Sequence, residues 1–210
     1  EQQGRFLSML DHELKSPLSV IRMKLGQSEP SPLARRHALQ AVDDIGDVVE
    51  RCSLAERLEQ PDATLRPVPM ALPEALENLR RACAEPGRVE LAPMASLGEA
   101  RLLTDALWWR LLMLNLLDNA LKYSPAASPV RLSVSRSGNG AQAGWVFTVT
   151  NRVGRVGRPD PDNVFRKYHR GPGARHLSGS GLGLYIVQGL ATLLGGRVRL
   201  LPAQAAQGGD

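Results

Sequence analysis

Aromatic residues are scarce: three Trp, three Tyr and three Phe make up 4% of the 210 residues. Any core this chain builds is therefore mainly aliphatic. Cysteine is scarcer still. Cys52 and Cys83 stand far apart with no second pair, which excludes a disulfide framework and a Cys-based zinc site. They read as two small buried thiols of a reducing compartment. No run of 18 apolar residues occurs, so no segment reads as a membrane-spanning helix. Acid is in modest deficit, with 21 Asp and Glu against 26 Lys and Arg, a net charge of +5. That excess raises nucleic-acid binding as a class, but a total is not a patch. No nucleic-acid motif appears, and the stretch RMKLGQSEPSPLARR is only locally basic.

What is plentiful is punctuation, with 20 Gly and 15 Pro. At 43% hydrophobic and 22% charged the chain is globular, not disordered. It begins on Glu1 and is helix-like by Phe6, which predicts a piece of a longer protein. Leu7, Leu10, Leu14, Leu18, Ile21 and Leu25 mark a helix over residues 2–26. GQSEPSP breaks it, and a second helix follows over 33–59. The stripe of that helix is Ala38, Val42, Ile45, Val49 and Cys52, a strict heptad rhythm. Two such helices form a hairpin that cannot bury its seam alone, which predicts a homodimeric four-helix bundle.

Residues 60–69 carry three prolines and predict a linker with a short strand, and the domain boundary falls there. The expected domains are 1–60 and 61–210. In the second, helices are predicted over 73–84, over 105–123 with Asp105 as cap, and over 181–194. Strands are predicted over 88–91, 100–103, 130–136, 145–150 and 197–201, with the third and fourth an antiparallel pair. Residues 151–180 read as a long basic loop of the kind used as lids. The sum is an α+β chain: a helical hairpin followed by an α/β sandwich.

Three features carry chemistry. His12 lies about 200° from stripe residues Leu10 and Leu14, on the opposite helix face. Glu13 beside it can accept from one ring nitrogen and leave the other nucleophilic. Pro17 interrupts the helix and frees a carbonyl one turn back, near Glu13. Asn115, Asp118, Asn119 and Lys122 follow at i, i+3, i+4 and i+7 on an otherwise apolar helix. Amide oxygens can ligate Mg²⁺ and an ammonium can meet phosphate, while an ordinary solvent face accounts for the same spacing. Gly179, Gly181 and Gly183 then lead straight into a helix, a backbone arrangement that favours phosphate.

Taken together these segments resemble the core of a bacterial two-component sensor histidine kinase. FLSMLDHELKSPLSVIR is similar to its phosphoacceptor box, LNLLDNALKYS to its N box, VFRKYHRG to its phenylalanine box and GSGLGLYIV to its last glycine box. The resemblance implies a dimerisation and histidine-phosphotransfer hairpin before an Hsp90-like ATP-binding domain. It implies that ATP, with Mg²⁺, phosphorylates His12, that Glu13 is its hydrogen-bond partner and base, and that a response regulator aspartate receives the phosphoryl group. Asn119 would hold Mg²⁺ with Asn115 nearby, Lys122 would touch phosphate, Tyr123 would cover adenine, and Gly179, Gly181 and Gly183 would shape the lid. The resemblance also implies a cytoplasmic domain of a membrane-anchored sensor.

Three departures accompany it. TNRVGRVG stands where the family has D-x-G-x-G, so Asn151 replaces the adenine-reading Asp. A neutral acceptor binds less strongly than an ionised one, which predicts weaker nucleotide affinity. Ser16 stands where the family has Thr or Asn for phosphatase action, and the chain ends at QGGD without the usual last strand. The rival expectation is a dimeric scaffold that binds a regulator without turning over ATP. Residues 152–178 hold seven Arg and Lys against two Asp, which equals the whole +5 excess. The charge therefore reads as a lid complementary to ATP, not as a nucleic-acid surface.

Overall fold

The computed structural model describes residues 2–26, 31–60, 64–93, 97–138, 144–174 and 180–201, with the side chains of 2–9, 11, 12 and 172 left aside. Helix α1 spans Gln2–Leu25 and α2 spans Pro32–Arg57. α1 runs on as helix through Pro17, which is buried. Ser31 caps α2 by accepting from the Ala34 N–H at 3.1 Å, and Pro32 takes the first helical position, where its missing N–H is no loss. The two helices pack on each other as a hairpin.

The stripe expected on α2 divides. Ala38 is buried and Ile45 and Cys52 are half-buried, but Val42 and Val49 are each more than half exposed. The buried residues of α2 are instead Ala34, Ala38, Ala41, Val48 and Ala55. Small side chains let the backbones approach, and the bulkier apolar residues are left on the neighbouring face. Leu18, Met23 and Leu25 of α1 are exposed in the same way.

Beyond the hairpin come β1 (Val68–Ala71), α3 (Leu72–Ala82), β2 (Val89–Leu91), β3 (Arg101–Thr104), α4 (Ala106–Tyr123), β4 (Val130–Ser137), β5 (Gly144–Asn151) and α5 (Gly183–Leu193). β1 and β3 form a small antiparallel ribbon. β2 runs parallel to β4, and β4 pairs antiparallel with β5 from Val130↔Asn151 to Ser137↔Gly144. The expected β4–β5 pair is thus present, in an α+β fold. Residues 197–201 are not a strand. Their alternation has the right period, but a strand exists only with a ladder partner, and among the described residues none pairs with them.

Asp105 caps α4, its Oδ1 accepting from the Leu107 and Trp108 N–H groups while its Oδ2 takes the Arg66 N–H at 2.9 Å. Arg88 closes the other end, donating to the Leu121 carbonyl, the Ser124 hydroxyl and the Pro125 carbonyl. α4 is the shared wall of two cores. On one side Trp109, Met113, Leu117 and Leu121 pack with α3 and the three-stranded sheet, and Trp109 meets the Phe147 ring edge-on at 5.7 Å. On the other side Trp108 joins Leu182, Ile186 and Leu190 near α5 and Ala55 of α2. This explains the apolar girth of α4: it is covered from both sides. Of the two thiols, Cys83 is buried as expected, but Cys52 is only half-buried, facing the seam between α2 and α5. Among the described residues no helix is long and apolar enough to cross a membrane.

Candidate nucleotide and phosphotransfer site

The polar strip of α4 is no ordinary solvent face. Asn115, Asp118, Asn119 and Lys122 are all half-buried. Asn115 Nδ2 donates to the Leu111 carbonyl at 2.8 Å, which leaves its oxygen as the acceptor end. A Cβ at Gly183 would lie 4.0 Å from Asn119 Oδ1 and near nothing closer, so the start of α5 approaches this amide as bare backbone. The sequence elements containing Asn119 and Gly183, 64 positions apart, are thereby brought together.

The strip faces the hairpin. Burial pushes the Lys122 ammonium down to about 8, with Arg51 of α2 and Arg170 adding to the shift and Glu13 of α1 opposing it. Burial raises the Tyr123 phenol, and the same three charges act on it. Burial also raises Asp118, with Arg51 opposing and Asp47 assisting. Tyr123 is half-buried, and Lys122 Nζ stands 5.6 Å from its ring centroid.

The loop after β5 closes over this end of α4. The Gly154 N–H donates to the Tyr123 carbonyl at 3.2 Å, and a Cβ there would come within 2.5 Å of that oxygen. No other residue type fits so close a backbone approach. Gly181 has φ +68°, and a Cβ would meet the Tyr168 carbonyl carbon at 2.9 Å. Between these two glycines the loop touches α1 and the segment just after α2. Arg170 Nη1 lies 3.4 Å from Glu13 Oε1, and its Nη2 donates to the Ala174 carbonyl. Lys167 Nζ lies 2.7 Å from Glu59 Oε1, which also accepts from the Tyr185 hydroxyl at 3.0 Å.

The structure thus gathers Glu13, Asn115, Asn119, Lys122, Tyr123 and Gly183 about one face, with Gly181 beneath the loop that covers it. His12 is one residue before Glu13 on α1, and its side chain lies outside the described residues, as does Gly179. Asn151 ends β5, half-buried, its Nδ2 donating to the Arg152 carbonyl at 3.0 Å. The expected lid charge is partly committed elsewhere: Lys167 and Arg170 meet hairpin carboxylates. Sequence spacing did not single out Arg51, Glu59 or Gly154. Arg170 was legible only as one of seven basic loop residues, since its partner is 157 positions away. Two grooves lie away from this face, one against Met70, Glu74, Asn78 and Arg110, the other at Pro32, Arg35, Arg36 and Leu39. Among the described residues no three His, Cys, Asp or Glu side chains gather as a metal-holding set.

Comparison with known proteins gives a consistent result. Residues 104–209 match the family profile described as histidine kinase-, DNA gyrase B-, and HSP90-like ATPase. The chain is 32% identical over 215 aligned positions to the sensor-like histidine kinase SenX3 of Mycobacterium tuberculosis, covering 93% of the chain and 49% of that protein. It is 29% identical to the sensor protein QseC of Salmonella typhi over 99% of the chain and 46% of that protein. The chain spans about half the length of these curated relatives. In fold it is similar to the Acinetobacter baumannii histidine kinase AdeS, with a TM-score of 0.61 at 18% identity over 86% of each chain. It is also similar to full-length ShkA in complex with AMPPNP, with a TM-score of 0.58 at 22% identity over 90% of this chain and 41% of that one.

Proposed function

This chain belongs to the histidine kinase-, DNA gyrase B- and HSP90-like ATPase family, as a sensor histidine kinase core, and from that premise we propose that it autophosphorylates His12 from Mg-ATP. The observation that carries the proposal is the contact between the loop over the α4 strip and the acceptor helix: Arg170 lies 3.4 Å from Glu13, the residue after His12.

Tyr123 would cover the adenine, with Asn151 accepting from its amino group. Lys122 would meet phosphate oxygens, and Gly179, Gly181 and Gly183 would let the backbone approach them. Asn119 and Asn115 offer neutral amide oxygens, a donor set suited to a Mg²⁺ ion that rests mainly on phosphates and water. When bound, the ion would neutralise charge on the β- and γ-phosphates. The chain's own contribution is then positioning. A neutral His12 nitrogen attacks the γ-phosphorus, the bond to the bridging oxygen of ADP breaks, and the proton on the other ring nitrogen passes to Glu13. The phosphoryl group would go on to an aspartate of a response regulator receiver domain.

In this reading residues 1–60 form the dimerisation and phosphotransfer domain and 61–210 the ATP-binding domain. The exposed Val42, Val49, Leu18 and Leu25 would be covered in a homodimer. The parent protein would be a membrane-anchored sensor with this part on the cytoplasmic side. Incubation with Mg-ATP should label the wild type and not His12→Gln; label retained in that variant overturns the role of His12.

One observation favours a second reading, a regulator-binding scaffold without ATP turnover. Asn151 is a neutral amide where the family has a carboxylate, and with its Nδ2 donating to the Arg152 carbonyl it offers the adenine amine only an uncharged oxygen. Nucleotide titration separates the two. Saturable Mg-ATP binding, tightened by Asn151→Asp, supports the kinase; normal dimerisation with no binding supports the scaffold.

A further inference from the structure

Arg170 belongs to the loop after β5, yet its guanidinium spans to α1. Nη1 lies 3.4 Å from Glu13 Oε1 while Nη2 donates to the Ala174 carbonyl. The two side chains are only 21% and 10% exposed, so the pair is largely withdrawn from water. Such a pair differs from a surface contact, because removing one partner strands the other charge in a poorly solvated place. The guanidinium is also rigid and planar, so two anchored nitrogens fix its orientation. It holds the carboxylate from one side through Oε1. A carboxylate has about four acceptor sites, so this contact sets its orientation without exhausting it.

We propose that Arg170 is a positioning residue for phosphotransfer: it orients the Glu13 carboxylate beside His12 and ties that orientation to the closure of the loop over the nucleotide. The inference rests on the kinase reading above, in which Glu13 receives the imidazole proton. It adds a requirement that a nucleotide pocket alone does not have. The loop that covers α4 docks on α1 through the same guanidinium that contacts the base, so docking and base orientation are linked: an undocked loop takes the Arg170 contact away from Glu13. Ala174 matters as the second anchor. It stands in a one-turn 3-10 segment, Pro172–Ala174, and is itself buried. The Arg170 head is therefore fastened to loop backbone as well as to Glu13.

The test uses the whole chain with radiolabelled Mg-ATP, and compares Arg170→Gln, Arg170→Lys, Glu13→Gln and the Glu13→Gln/Arg170→Gln double variant. Labelling rate at saturating nucleotide is measured beside nucleotide Kd by titration. Losing a charge-assisted contact predicts that Arg170→Gln labels about tenfold or more slowly. Its Kd should stay within about twofold, since the contact is to α1 and not to the ligand. Arg170→Lys, which keeps the charge but not the fork, should recover part of the rate. The double variant should be no slower than Glu13→Gln alone, because one residue acts through the other. Additive losses, or a raised Kd with an unchanged saturated rate, overturn the positioning role. A wild type that binds nucleotide but never labels His12 overturns the kinase reading itself, a distinct result. Unfolding of each variant in urea guards the comparison: if Glu13 and Arg170 show no energetic coupling there and none in rate, the pair is not formed and the proposal fails.

Discussion

The Lys167 ammonium lies 2.7 Å from the Glu59 carboxylate although 108 residues separate them. Glu59 follows the end of α2, where the chain leaves the hairpin, and Lys167 belongs to the loop that covers α4. Tyr185 of α5 donates to the same carboxylate oxygen, and the Lys167 head also stands over the Tyr168 and Tyr185 rings. One carboxylate thus joins the hairpin, the loop and α5, just above the apolar contact of Leu58 with Gly189.

Glu59→Gln should loosen this junction. The carboxylate is half exposed while the ammonium is mostly covered, so the expected cost is about 0.5–1 kcal/mol in urea unfolding. The loss should shrink as salt is added. The Lys167 hydrogen bond holds the Glu59 carboxyl below its ordinary range, with Tyr185 adding to the effect. Its folded value is thus below its unfolded one, and this stability is present above the ordinary carboxylate pKa and lost as pH falls through the depressed value. A cost that ignores both salt and pH would contradict the ion pair.

Lys122 makes the second prediction. Burial lowers it to about 8 from 10.5, so between these values the unfolded chain holds the proton and the folded chain does not. Stability of the nucleotide-free protein should therefore rise with pH across that window. Nucleotide affinity should run the other way, weakening as pH passes about 8 and the ammonium is lost. Lys122→Arg, charged throughout, should remove the inflection. Titration of Kd against pH in both proteins checks this.

Gly154→Ala is expected to be costly. Its Cβ would come within 2.5 Å of the Tyr123 carbonyl oxygen, a backbone atom that cannot swing aside. The Gly154 hydrogen bond to that carbonyl would be displaced too. A loss of about 1–3 kcal/mol follows from overpacking, with nucleotide affinity falling as Tyr123 shifts. Gly157→Ala nearby meets no atom within 4 Å and is strained only through its φ of +84°. It should cost less, about 1 kcal/mol. Equal losses would count against the close approach.

Asp105→Ala should destabilise the chain by more than an ordinary cap. The usual cost is about 1 kcal/mol, and here the carboxylate also accepts the Arg66 N–H of the preceding segment. That bond leads those that hold the Asp105 carboxyl below its ordinary value, before the two from α4. Its contribution is present above the ordinary Asp pKa and fades as pH falls through the depressed one. Asp105→Asn, which keeps an acceptor oxygen, should lose less. Urea midpoints at pH 7 for the three proteins decide it.

The elements whose ends are set by local chemistry were readable in advance. Asp105 announces α4, because a cap acts over three or four residues; Ser31 and Pro32 do the same for α2, although GQSEPSP reads first as a break. The α4 strip was legible because Asn115, Asp118, Asn119 and Lys122 share one face at helical spacing. What a pattern could not carry was the partner. Val42 and Val49 belong to the same heptad rhythm as Ala38, yet the buried face of α2 runs through Ala34, Ala38, Ala41 and Val48 and leaves those two exposed. Residues 197–201 alternate like a strand and find no ladder among the described residues. Arg170 and Glu13 meet only because α2, α4 and α5 fold the loop back onto α1, a relation that no local spacing encodes.

Consecutive tryptophans on α4 look in opposite directions, Trp109 toward the sheet and Trp108 toward Ala55 of α2, with the Arg57 guanidinium 5.3 Å from its ring centroid. The chain has just three tryptophans, and the third, Trp145, packs from β5 onto the sheet-side core. The scarcity of aromatics therefore equips the molecule with its own optical gauge. Indole emission from Trp108 reports whether the hairpin is seated on α4 and α5, while Trp109 and Trp145 report the sheet core as an internal reference. Replacing Trp108 with Phe leaves a signal blind to that seating, so the motion of one unit on the other becomes measurable in the unlabelled chain.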